Sequence, residues 1–182
     1  MTLLEEGLLA MRGCWRLLWR DPAAFEDFNL TIEGFWRSFA VIVPVSVLAY
    51  PMFVSTHDRA NEVAATAGEG LHELRLGVSY LYLLAGIVLW PLVAAVLARV
   101  TGVAQNYVRY MIIYNWMQVP MTALMLIPHL LFFVILANAA LIFSLYVSWY
   151  VAKAGLQTTA PIAFVFVVAE FALTYGLGAL IQ

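Results

Sequence analysis

The stretch from Tyr107 to Ala152 constrains this chain more than any other. Across it, only Arg109, near one end, and His129, near the middle, can carry a charge around neutral pH. An apolar run of this length cannot be covered within a water-soluble fold, because a core helix rarely passes about 20 residues. Pro128-His129 divides the run. Each part then holds about 21 to 23 residues and rises ~32 Å as a helix, close to the ~30 Å hydrocarbon thickness of a bilayer. The run reads as a helical hairpin crossing the membrane twice.

Composition agrees. Hydrophobic residues make up 64% of the 182 and charged ones 11%, against about 25% charged in ordinary soluble domains. The net charge of −2 offers no general attraction to nucleic acid, and none is expected as a partner. The single cysteine, Cys14, excludes an internal disulfide and a cysteine-only metal cluster. The opening MTLLEEGLLAMRGCWRLLWR places Glu5 and Glu6 where a secretory leader has basic residues, so no cleaved leader is expected.

In chain order, Leu4, Leu8, Met11, Trp15 and Leu18 recur at 3–4 spacing with Glu5, Arg12 and Arg16 beside them. This is the pattern of an amphipathic helix lying on a membrane surface, the alternative being one that docks on its own bundle. Asp21-Pro22 ends it. Thr31 and Glu33 start the next helix. The expected class is all-α: a polytopic bundle of five transmembrane helices preceded by an amphipathic interfacial helix. Residues 1–30 form the interfacial helix and linker, and 31–182 the membrane domain. Its spans are expected at about 35–54, 76–98, 107–127, 130–152 and 160–181. Pro44 and Pro51 predict a kink in the first span, and 55–75 reads as a polar loop.

Five spans put the two termini on opposite sides. Arg12, Arg16, Arg20, Arg37, Arg99, Arg109 and Lys153 fall on one side, Arg59 and Arg75 on the other. The positive-inside rule then predicts a cytoplasmic N-terminus and an outer, periplasmic C-terminus in an inner membrane. Trp36, Tyr107, Tyr110, Trp149 and Tyr150 fall at the predicted inner edges.

Chemistry is sparse. Glu170 is the one carboxylate within the expected spans, where a charge costs about 2.5–3.5 kcal/mol on insertion scales. Thr174 stands one turn on, and Asn115, Gln118 and Thr122 form a polar stripe on the third span. Glu170 is therefore expected to pair with Gln118 or Asn115, either as interhelical glue or as a proton or cation site. Ala172, Gly176 and Ala179 give the fifth span a small-residue face for close helix packing, and Asn138 reads as a packing point in the fourth. His57, Asp58, His72 and Glu73 match no metal-site spacing, and His129 reads as a turn residue. Neither a metal nor a cofactor is expected. The H-E-x-x-H, G-x-S-x-G and P-loop signatures are absent, so the chain is not expected to be an enzyme.

The segments Asn29–Phe39, Tyr114–Pro120 and Trp149–Leu156, set within five closely spaced spans, resemble uncharacterised bacterial inner-membrane members of the five-span Ypt-interacting protein (Yip) family. The resemblance extends in topology over 31–181. It implies the five-span fold. The long acidic N-terminal domain of eukaryotic relatives, which act in vesicle traffic, has no counterpart, and no functional residue carries over. The leading expectation is a non-enzymatic scaffold or accessory subunit whose partners are the lipid bilayer and a second copy or larger membrane complex. The rival is a small transporter or channel component using Glu170.

Overall fold

Thr2 starts the first helix. In the computed structural model its side chain accepts the Glu5 N–H at 3.2 Å while Glu5 accepts the Thr2 N–H at 2.8 Å. This reciprocal cap opens α1 (Leu3–Leu18). The structure describes every residue except Leu71, His72, Leu74, Phe132, Phe133 and Gln182, and it describes no side chain at His129, Leu130 or 178–181. A 3-10 turn, Pro22–Asp27, follows α1 and is capped by Asp21. Then come α2 (Ile32–Ser38), α3 (Ile42–Ala67), α4 (Leu76–Val100), α5 (Tyr107–Leu131), α6 (Val134–Gly155) and α7 (Ala160–Ile181). Among the described residues, five helical stretches, the first being α2 with α3, are long and apolar enough to cross a membrane. The fold is an all-α membrane bundle.

Three boundaries differ from expectation, each for a local reason. Pro44 has no N–H to donate and its ring crowds the carbonyl four residues back, at Ala40. A 3-10 turn over Phe39–Val41 separates α2 from α3 at that point, whereas α3 runs straight through Pro51. Beyond residue 54 the expected loop is helix as far as Ala67. The run Ala60–Ala67 is rich in good helix formers, and Gly68 stops it in the left-handed conformation at φ 73°. Pro128-His129 does not break the third span either. α5 continues to Leu131, since a membrane helix tolerates the loss of one backbone bond, and α6 starts at Val134.

α5 is the centre of the bundle and packs against α1, α2, α3, α4 and α6. Its consecutive residues Tyr110, Met111, Ile112 and Ile113 are all buried, so it is covered on every side at that level. Trp90, Tyr110, Tyr114 and Phe166 join α4, α5 and α7 through ring contacts of 5.6–6.5 Å. The outward faces carry Val88, Leu92, Val96, Ile135, Ile142, Phe164 and Val168, a continuous apolar coat suited to lipid. Gly155 lets α6 approach α5, since a Cβ there would stand 3.0 Å from the Tyr110 Cα.

α1 combines both readings of its sequence. Glu6, Ala10, Gly13, Cys14 and Leu17 are buried against the bundle, while Leu4, Leu8, Trp15 and Trp19 remain exposed. Gly7 sits over the Trp116 ring, and the Arg20 Nε–H donates to the Tyr146 hydroxyl at 3.1 Å. Trp116 is nine residues into α5 and Tyr146 nine before the end of α6. Both therefore lie ~13.5 Å from the same end of the bundle, so α1 runs across these helices rather than along them.

Carboxylates fasten it there. The Arg12 and Arg16 guanidiniums donate to Asp27, Arg16 at 3.0 Å, and Arg16 also donates to Asp21 at 2.7 Å. Arg37 on α2 donates to Glu6 at 2.9 Å. The Asp27 and Glu6 side chains are each only 2% exposed, and stranding a buried charge costs far more than losing a surface pair. Hydrogen bonds from Arg12, against some burial, hold the Asp27 carboxyl below the usual carboxylate range, and Arg16 does the same for Asp21.

Candidate functional site

Glu170 is the only carboxylate in α4–α7. It lies ten residues into α7, ~15 Å along the helix and so near mid-depth in a ~30 Å apolar layer. A carboxylate at that depth needs a partner or a proton. The Tyr114 hydroxyl on α5 is that partner, donating to Glu170 Oε1 at 2.6 Å. Ser148 of α6 stands on the same wall.

Two cavities meet at this carboxylate. The larger, of about 290 Å³, lies among α3, α5, α6 and α7; the second, of about 240 Å³, lies among α3, α4, α5 and α7. Tyr114, Gln118, Thr122 and Glu170 line both. Two of the residues expected from the polar stripe, Gln118 and Thr122, thus share one chamber with Glu170. Thr174 lines the second cavity, and its carbonyl accepts the Tyr82 hydroxyl at 2.7 Å.

Asn115 corrects the expected pairing. It also reaches the second cavity, but its amide donates to Ser38 Oγ at 2.8 Å, not to Glu170. The register explains the exchange. Tyr114 precedes Gln118 by one helical turn and so lies on the same face, and its longer side chain carries a hydroxyl across to α7. A phenol on an apolar helix does not stand out as polar in the sequence, unlike the carboxamides beside it. Ser148 is marked only by Ser144, one turn before it on α6, which makes that face polar.

Trp90 closes the second cavity beside Tyr114. It is 2% exposed, and its ring lies 5.8 Å from that of Tyr114.

The small-residue face of α7 is uncovered. Ala172 and Gly176 are exposed, and a Cβ on Gly176 would meet nothing within 4 Å. The Ala179 side chain lies outside the described residues, as does Gly178 beside it. Asn138 is exposed and donates to the Val134 carbonyl of its own helix at 3.0 Å. His57 pairs with Asn61 one turn on in α3, and no group of three His, Cys, Asp or Glu among the described residues is placed to hold a metal. His72 and the His129 side chain lie outside the described residues.

No family model, no curated protein and no solved structure matches this chain.

Proposed function

We propose that this integral membrane protein is a small transporter or channel component in which Glu170 receives a proton or a cation at mid-bundle. The observation that carries the proposal is the position of Glu170 where two cavities join, hydrogen-bonded by Tyr114 and flanked by Gln118 and Thr122. A carboxylate used only as glue is enclosed by packed side chains. This one borders open volume on two sides. Aromatic walls around a carboxylate favour positive charge. The role is non-enzymatic.

Orientation and compartment belong to the same proposal: N-terminus cytoplasmic, C-terminus outside, in a bacterial inner membrane, with Yip-like kinship. Pairing of Arg12, Arg16 and Arg37 with carboxylates does not weaken the orientation argument, because the rule counts Lys and Arg rather than net charge. The test is flux into vesicles reconstituted with the full chain and loaded with a pH-sensitive dye. Glu170→Gln should abolish proton-coupled cation movement, and equal flux in the variant and wild type would refute the reading.

A second reading, an accessory subunit docking on another membrane helix, draws support from the open Ala172 and Gly176 face of α7. A larger membrane partner co-purifying in stoichiometric amount, and lost in Gly176→Leu, would favour it.

A further inference from the structure

The Glu170 chamber holds a second chemistry that a proton or sodium ion has no use for. Four of the seven methionines of the chain line its larger cavity: Met52 on α3 and Met117, Met121 and Met125 on α5. The three on α5 recur at every fourth residue, so one helix face carries thioethers ~6 Å apart in height. α3 packs against that helix and contributes the fourth. Leucine has comparable helix propensity and would fill the same space. The chain uses it freely on its other helices. What methionine adds is a soft, polarizable sulfur. The Ser144 hydroxyl lies 3.9 Å from the Met121 Sδ, so this sulfur meets a polar group rather than lipid. Glu170 contributes the single negative charge on the same wall.

Ligand type selects the ion. Calcium and magnesium seek six or more oxygens, and zinc seeks histidine, thiolate and carboxylate. Thioethers select Cu(I), and Ag(I) is softer still. The geometry points to a soft monovalent metal ion, Cu(I) or Ag(I), as the cargo of this cavity. Met52 and Met121 hold it, and Glu170 balances its charge. Met117 and Met125, eight residues apart, are separated by ~12 Å along the axis and cannot grip one ion together. They form neighbouring stations above and below Met121. The ion enters and leaves in the same oxidation state, so no redox step is involved. This inference rests on the Glu170 reading and names its substrate.

The test is titration of Ag(I) into the full chain in detergent micelles, with ions counted by native mass spectrometry and affinity read by chelator competition. Every protein carries Cys14→Ala, so that the one thiol does not contribute. One Ag(I) per chain is expected. Met52→Leu and Met121→Leu preserve volume and should each weaken binding at least about tenfold, a loss of roughly 1.4 kcal/mol. Met11→Leu, on α1, should leave it unchanged. A wild type that binds no Ag(I), or a Met52→Leu/Met121→Leu double variant that binds as wild type does, overturns the inference. Should a variant fold poorly, X-ray absorption of the Cu(I)-loaded parent decides, with sulfur neighbours supporting the site and oxygen or nitrogen neighbours alone overturning it. Glu170-dependent proton flux without Ag(I) binding would remove this inference and leave the Glu170 reading standing. Methionine-dependent Ag(I) binding without Glu170-dependent proton flux would keep the metal site and remove only the proton coupling from the Glu170 reading.

Discussion

Ser38 and Asn115 tie the first span to the central helix, and their coupling is measurable. Ser38 is 0% exposed and Asn115 4%. The Asn115 amide donates to Ser38 Oγ at 2.8 Å, and the Ser38 hydroxyl donates onward to the Phe35 carbonyl at 2.7 Å. Ser38→Ala removes the acceptor and orphans a buried amide. In water-soluble interiors such an orphan costs about 1–3 kcal/mol. Interhelical bonds in membrane proteins are worth less, ~0.6 kcal/mol on average and ~1.7 at most. Asn115 borders the second cavity and so has room to turn its amide, which places the cost near the membrane range, at about 1 kcal/mol. Asn115→Leu keeps the volume and leaves the Ser38 hydroxyl bonded to Phe35, so it should cost less. The double variant has no orphan and should recover most of the loss, giving a coupling of about 1 kcal/mol. Unfolding in mixed micelles of rising SDS fraction reads all four proteins. Losses that add to within ~0.3 kcal/mol would refute the reasoning, because the bond would then contribute nothing of its own.

Two further predictions concern α1. Cys14 lies 1% exposed on its docked face, and burial pushes its thiol well above the ordinary range, so maleimide labelling of the folded protein at pH 7 should be slow. Asp27→Asn removes the charge that Arg12 and Arg16 grip and should speed labelling several-fold; unchanged rates would contradict the clasp. Acid should act in the same direction. The Asp27 and Asp21 carboxyls are held below their unfolded values by arginine. Their contribution is therefore complete above about pH 4 and is lost as pH falls through the depressed values. Emission from the exposed Trp15 and Trp19 should stay constant down to about pH 4 and shift below it, and a flat profile would count against this account.

The five spans were legible because lipid imposes length and polarity on every crossing helix, and a run such as Tyr107–Ala152 has no soluble alternative. Element ends were less legible. Proline marks a missing donor, but whether the helix stops, as before Pro44, or continues, as through Pro51 and Pro128, depends on neighbours that absorb the loss. The chamber was half visible. Glu170, Gln118 and Thr122 announce themselves as polar residues in apolar surroundings, whereas Tyr114 passes for an ordinary aromatic until its hydroxyl is placed against α7. Met117, Met121 and Met125 can be read as a stripe from spacing alone. Met52 joins them only through the packing of α3 on α5, which no local pattern encodes.

A strap across one rim of a barrel decides where the staves can part. α1 is tied at one end through Glu6 to Arg37 on α2 and at the other through Arg20 to Tyr146 on α6, with Gly7 resting on α5 between them. Those three staves are bound together at the strapped rim. On the transport role proposed for Glu170, exchange would have to use the opposite rim, toward which Met125 and Thr174 line the two cavities.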